Sequence, residues 1–415
     1  MTAEQGQPKV VVVHRGARDS YEVSAALAQA GLLDRLVTDL YWPGDQAWTR
    51  SVPRYLQARG QKRFHPALPS KLVHQLPVTG SVSFALEQVS AAPHAMQLRA
   101  VRATDALLGR TAGLLARKHD SLLLSYSYYG YHAFRIYGPG GILFQLHPHP
   151  LSVRKILAQE LADHPDCAAS LNKEWELALP TRDFERLVAE TRLPSHFLVA
   201  SSFTRQTLIE NGAAPDSIKV IPYGVDLQRF TPAPRRNANR DAPLRLLFVG
   251  TISQRKGIKY LVEALQLLDS RNIELTVCGR VVDGLRVLKP IELRVSVRPK
   301  ISSPELIREY QSADLFVLPS VAEGFGHVLL EALASGLPIL STTHTAAPDL
   351  IINDHEGFAV EPRRPDLLAQ KIDWAASHRL QLEEMRLAAR RRAETFSWQR
   401  FGASVVDFMR RRSRR

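Results

Sequence analysis

The chain is poor in cysteine and methionine, and it has no long hydrophobic run. Its 415 residues include two cysteines, four methionines and 7% aromatic residues. Cys167 and Cys278 stand far apart and isolated, so neither a disulfide framework nor a thiolate metal site is readable. No apolar run approaches the ~20 residues needed to cross a bilayer. The opening "MTAEQGQPKVVVVHRG" lacks the basic start, long apolar core and small-residue cleavage site of a secretory signal, so a cytoplasmic protein is expected. Acidic residues are in deficit: 41 aspartates and glutamates face 54 lysines and arginines, for a net charge of +13. That excess favours anionic partners. Part of it is local, in "RSVPRYLQARGQKRFHPALPSK" (Arg50 to Lys71), in "RLAARRRAETF" (Arg386 to Phe396) and in "RRRSRR" (Arg410 to Arg415). With no aromatic-interleaved RNA motif, zinc-finger spacing or helix-turn-helix beside the charge, nucleic acid is not an expected partner.

What is present is a repeated strand–helix rhythm. "KVVVVHRG" reads as an apolar strand, and "SYEVSAALAQAGLL" follows with Val23, Ala26, Leu27 and Ala30 at helical spacing before Gly31. Further strands are expected at "SLLLSY", "GILFQLH", "HFLVAS" and "SIKVIPYG". The proline-rich, polar stretch "TPAPRRNANRDAP" (Thr231 to Pro243) reads as a linker. The rhythm then restarts with "LRLLFVG", and Ile258, Leu261, Ala264, Leu265 and Leu268 share one face of the next helix. Strands alternating with helices imply two parallel sheets, each flanked by helices. The expected organisation is an α/β domain over 1–230, a linker over 231–243, a second α/β domain over 244–396 and a terminal helix with a basic tail over 397–415. Ligands of open α/β sheets bind outside the carboxyl ends of the strands, so a cleft between the two domains is the expected site.

The densest chemistry lies in "EGFGHVLLE", Glu323 to Glu331. A Gly-Phe-Gly turn separates the strand "DLFVLPS" from the helix "GHVLLEALASG", so backbone can approach a ligand closely there. The helix start presents unpaired N–H groups and partial positive charge to an anion. At ~1.5 Å per helical residue the two carboxylates lie roughly 10 Å apart. A retaining-glycosidase pair needs about 5 Å, so joint covalent chemistry is excluded. Two carboxylates with an anion site between them suit a ligand with hydroxyls at both ends and phosphate in the middle. A nucleotide sugar has that form.

At this point the chain resembles a known family. "PSVAEGFGHVLLEALASGLPIL" is similar to the E-x7-E donor-binding segment of glycosyltransferase family 4, retaining enzymes of the GT-B fold with two Rossmann-like doubly wound domains facing a cleft. "FTRQTLIENGAAPDSIKVIPYGVDLQRFTP" resembles the close of that family's first domain, and "LLFVGTISQRKGIKYLVEAL" the opening of its second. "FSWQRF" resembles its last helix, which crosses back to the first domain. The resemblance implies Glu331 on the ribose, Glu323 on the donor sugar, and the backbone of Gly324, Phe325, Gly326 and His327 near sugar and phosphate. It implies Lys256 on the diphosphate leaving group, and His147 at the end of "FQLHPHP" near the reacting carbon, with His149 as the alternative. Gly16 stands where relatives have a glycine-rich loop near the diphosphate.

Departures are as informative. Thr251 stands where the family often has arginine, with Arg255 as a candidate replacement, and "THTAAPDLI" replaces a Gly-Gly-x-Pro-Glu segment. Arg15 and Arg18 suit a leaving group, a charged acceptor or a plain surface equally. Tyr128, in "SYSYYGYHAFR", suits an acceptor-side loop. The resemblance implies a metal-independent hexosyltransferase with no cofactor and a nucleoside-diphosphate sugar as co-substrate. The acceptor would be a glycan or lipid-linked glycan, in polysaccharide, lipopolysaccharide or glycolipid synthesis. The basic stretches suit an anionic membrane surface, on the inner face of the plasma membrane. A silent nucleotide-sugar-binding protein and a sugar-nucleotide epimerase of the same fold are the alternatives.

Overall fold

The computed structural model describes residues 9–43, 60–76, 94–234, 242–268, 271–282 and 285–412. Parts of the basic stretches (residues 50–59 and 413–415) and of the expected linker (235–241) therefore lie outside the described residues.

Seven parallel strands form the first sheet: β1 Val10–Val13, β2 Leu33–Thr38, β3 Val73–Gln75, β4 Leu122–Tyr126, β5 Ile142–Gln145, β6 His196–Val199 and β7 Ile218–Val220. Their spatial order is β3-β2-β1-β4-β5-β6-β7. Six parallel strands form the second: β8 Leu244–Val249, β9 Ile273–Cys278, β10 Val295–Arg298, β11 Leu315–Leu318, β12 Ile339–Thr342 and β13 Gly357–Val360. Their order is β10-β9-β8-β11-β12-β13. Both sheets wind outward from a central first strand, the doubly wound order.

Strand composition explains the centre. β1 is four consecutive valines, all buried. A β-branched run with no polar side fits only a strand covered on both faces, so it sits between β2 and β4. β8 takes the same place between β9 and β11. Each sheet therefore reverses its winding beside that strand, and the reversal opens a crevice at the carboxyl end.

The helix Trp398–Arg412 returns to the first sheet's side, burying Phe401, Val405, Phe408 and Met409. Gly402 brings it against Ala26 of the helix Glu22–Gln29, where a Cβ would stand 2.8 Å from the Ala26 methyl. Arg412 meets His196 and Arg411 pairs with Asp407 at 2.9 Å, so these two C-terminal arginines are engaged within the protein. Among the described residues, no helix is long and apolar enough to cross a membrane.

Candidate active site between the two sheets

The loops leaving β1, β4, β5, β8, β9 and β11 converge on a cavity of about 460 Å³. Its second-domain wall carries Thr251, Arg255 and Lys256 after β8, Arg280 after β9 and Glu323 after β11. Its first-domain wall carries Arg15, Arg18, Tyr128 and His147, with Trp175 and Glu174 at the rim.

Lys256 ends a short turn after β8, and its ammonium donates to the Glu323 carboxylate. Burial and the neighbouring Arg255 guanidinium draw the Lys256 ammonium down to about 8, while the Glu174 carboxylate works in the opposite direction. The pair places a cation beside an acceptor of hydroxyl protons, the two functions a sugar diphosphate needs at neighbouring atoms. Across the cavity, burial and the charges of Arg255, Arg18 and Lys256 push His147 down to about 3. Its imidazole is therefore neutral at physiological pH, with one N–H to donate and one nitrogen to accept.

Glu331 sits apart from this group, outside the cavity lining. Its Oε2 accepts from the Tyr310 hydroxyl at 2.9 Å, and burial pushes its pKa up. Between the two glutamates Gly326 starts the helix His327–Ala334 with φ 82°, and no side chain caps the first turn. Gly324 has a second task. Its carbonyl accepts from Ser201 Oγ at 2.6 Å and Thr204 Oγ1 at 3.2 Å, both of the first domain. A Cβ there would stand 2.1 Å from the Leu146 carbonyl oxygen, so only glycine lets the two walls meet. Phe325 is buried, and His327 is exposed with its ring 4.5 Å from that of Tyr223. Tyr223 also contacts Phe144, Phe325, Trp398 and Phe401, so this aromatic cluster ties the first sheet, the turn at Phe325 and the last helix together.

Three candidates stand elsewhere than the sequence suggests. Arg255 donates to Glu174 at 2.7 Å and Glu176 at 3.3 Å, and its Nε to the Ala322 carbonyl at 3.1 Å. It lines the cavity but is committed as a bridge between the domains; Arg280, outside the motifs read from the sequence, is an exposed cation on that wall. His149 is buried outside the cavity. Its Nδ1 accepts from Leu151 N–H as a helix cap, and its Nε2 lies 2.9 Å from Thr191 Oγ1. Gly16 also lies outside the lining, its N–H given to Asp39 at 2.8 Å.

Sequence reasoning missed the bridges that hold the walls. Buried Glu160 accepts from Gln254 at 2.8 Å and from Tyr260 at 3.1 Å, and it pairs with Arg363. Asp349 accepts from Ser202 N–H at 2.7 Å, and His344 stacks on Phe203 at 4.4 Å. Asp349 stands in the altered "THTAAPDLI" segment, where Thr345 Oγ1 accepts from Ala347 N–H at 3.1 Å; these side chains serve packing and the domain junction. The loop after β1 is also unusual: Asp19, Ser20 and Tyr21 all have left-handed backbone, φ 43°, 53° and 67°. Non-glycine residues resist that region. Here the Tyr126 hydroxyl donates to Asp19 at 2.6 Å, and burial pushes the Asp19 carboxyl up to about 7. The strained turn carries Arg18 into the cavity.

Two parallel doubly wound sheets with a shared cleft at their strand ends define a GT-B fold, and solved structures agree. Sucrose-phosphate synthase from Thermosynechococcus elongatus superposes with a TM-score of 0.66 at 18% identity, covering 97% of this chain and 98% of its own. Anabaena HepE, solved in complex with UDP and glucose, gives 0.60 at 16% identity, over 97% and 99%. Residues 230–394 match the model of the glycosyl transferases group 1 family. The D-inositol 3-phosphate glycosyltransferase of Paenarthrobacter aurescens is 31% identical over 54% of this chain and 56% of its own length. The chain thus spans about half the length of the curated relatives it matches.

Proposed function

We propose that the protein is a retaining glycosyltransferase that moves a sugar from a nucleoside-diphosphate sugar to an acceptor hydroxyl. The observation that carries this reading is the Lys256–Glu323 pair in the cavity, facing neutral His147 across it. The similar proteins support it: a family model of glycosyl transferases, a curated glycosyltransferase, and a fold neighbour solved with UDP and glucose.

In this reading the donor diphosphate draws the Lys256 ammonium away from Glu323. Glu323 then accepts hydrogen bonds from the donor sugar, and the uncapped start of His327–Ala334 faces the phosphates. Glu331, held by Tyr310, accepts from the ribose at the other end. As the bond from the anomeric carbon to the diphosphate oxygen breaks, negative charge grows on that oxygen. Lys256 is already fixed beside it, which stabilises the transition state. The acceptor oxygen bonds to the anomeric carbon on the same face, and its proton passes to the leaving phosphate. His147 orients a donor hydroxyl without carrying charge. The engaged domain bridges keep water from the donor.

Nucleotide release from UDP, GDP and ADP sugars, with and without a panel of glycan acceptors, tests the reading. Acceptor-dependent release that Glu323→Ala abolishes is expected. Donor binding with no release for any acceptor would leave a binding protein.

A further inference from the structure

The cavity does not end at the first-domain wall. Asp105, Tyr128 and Trp175 also line a second hollow of about 330 Å³ on the first domain. That hollow in turn shares Arg110, Tyr131, His132 and Arg186 with a third, of about 670 Å³. The three form one groove running from the reaction centre outward between the helices His94–Lys118, Gly130–Tyr137 and Thr181–Glu190.

The groove is a built feature. Gly109 and Gly113, one turn apart on the long helix, let Gly130–Tyr137 lie against it; a Cβ at either would stand 2.5 Å or 2.6 Å from a backbone oxygen of the shorter helix segment. The buried Glu190 carboxylate accepts from the N–H groups of Tyr128 at 2.7 Å and Tyr131 at 3.2 Å, fixing the helix start.

Its chemistry changes along its length. Near the cleft it is aromatic: the rings of His147, Tyr128 and Trp175 follow one another at 5.8 Å and 6.0 Å, and Trp175 is 45% exposed. At the far end four arginines (110, 135, 182 and 186) stand with a single carboxylate, Glu185. Nearer the cleft the carboxylates are occupied: Asp183 pairs with Arg102 at 2.6 Å and Arg186 at 3.5 Å, and Asp105 with Arg15 at 3.5 Å. Arg110 and Arg182 have no carboxylate within ion-pair distance among the described residues. Burial and the charges of Arg110, Arg186 and Arg135 lower the pKa of His132 in their midst, as uncompensated positive potential requires.

We propose that this groove holds the acceptor, and that the acceptor carries an anionic group, a phosphate or carboxylate, beyond the sugar that reacts. The aromatic stretch receives sugar faces, and the guanidinium groups of Arg110 and Arg182 grip the anion in bidentate fashion. The inference rests on the glycosyltransferase reading but concerns a different surface, and it is testable without turnover.

Calorimetry and saturation-transfer NMR should compare glucose 6-phosphate with glucose, in the presence of saturating UDP, on the wild-type chain, an Arg110→Ala/Arg182→Ala variant and a Lys118→Ala control. Glucose 6-phosphate should bind more tightly than glucose and resist UDP. The double variant should weaken it about tenfold or more, and the control should not. A parallel flotation arm uses phosphatidylglycerol and phosphatidylcholine vesicles. Selective phosphatidylglycerol binding lost in the double variant supports the same anion grip and assigns its source to a lipid headgroup. Equal affinity for glucose and its phosphate, displacement by UDP, indifference to the double variant, or no binding in either arm would overturn the proposal. A failure of nucleotide sugars to bind would instead overturn the donor reading and leave the groove result standing.

Discussion

The second-domain wall of the cleft draws Thr251, Lys256, Arg280 and Glu323 from loops after three adjacent strands, β9, β8 and β11. The first-domain wall gathers Arg15, Arg18, Tyr128, His147 and Trp175 from loops scattered over 160 residues, across a strained turn and an aromatic ladder. The second-domain wall is thus a compact unit in which Lys256 and Glu323 neutralise each other. The first-domain wall opens into a groove at whose far end Arg110 and Arg182 have no carboxylate within ion-pair distance among the described residues. In the proposed reading one wall holds a fixed diphosphate, and the other leaves room for whatever extends outward.

The sharpest way to test that contrast is to remove the donor-side cation. Lys256→Ala should lower kcat by about 10²- to 10³-fold, the scale of losing one fixed stabiliser of transition-state charge. Steady-state nucleotide release checks this, and a fall in the apparent acceptor affinity instead would blur the division between walls. Next in size is Gly324→Ala. The added methyl meets the Leu146 carbonyl and costs about 1–3 kcal/mol through forced separation of the walls. Small-angle scattering should show a larger radius of gyration together with reduced kcat/KM.

The pH dependence is smaller and has a definite sign. A lysine drawn down to about 8 keeps its ammonium below that value and loses it above, so kcat/KM for the donor should fall as pH rises through about 8. The limiting slope is about tenfold per pH unit. Lys256→Arg, always charged in this range, should flatten the fall. The smallest effect is Tyr310→Phe. It removes one hydrogen bond to Glu331, worth about 0.5–1.5 kcal/mol, and should weaken nucleotide binding several-fold with kcat nearly unchanged.

Much of the second-domain wall was legible in the chain because its chemistry is local. Glu323, the glycine turn and the helix start lie within one short motif, and the "QRKG" turn carries Lys256. Strand composition was equally direct: a run of four valines has few places to go except a sheet centre. What the sequence hid depends on three-dimensional pairing. Arg255 looks like a free cation until Glu174 and Glu176 arrive from the other domain. His149 looks like an alternative sugar contact to His147 until the helix it caps is formed. His327, central in its motif, lies against the aromatic cluster around Tyr223. The basic groove was hidden for the same reason. Arg110 lies on one helix, Arg135 on another, and Arg182 and Arg186 on a third, with no shared motif to announce them.

The most direct test of the central claim is calorimetric titration of UDP, GDP and ADP sugars into the wild-type chain, Lys256→Ala and Glu323→Ala. One class of nucleotide sugar should bind the wild type. Loss of Lys256 should weaken both the nucleotide diphosphate and the sugar nucleotide, while loss of Glu323 should weaken only the sugar nucleotide. Binding that ignores both substitutions, or no binding by any nucleotide sugar, would contradict the account.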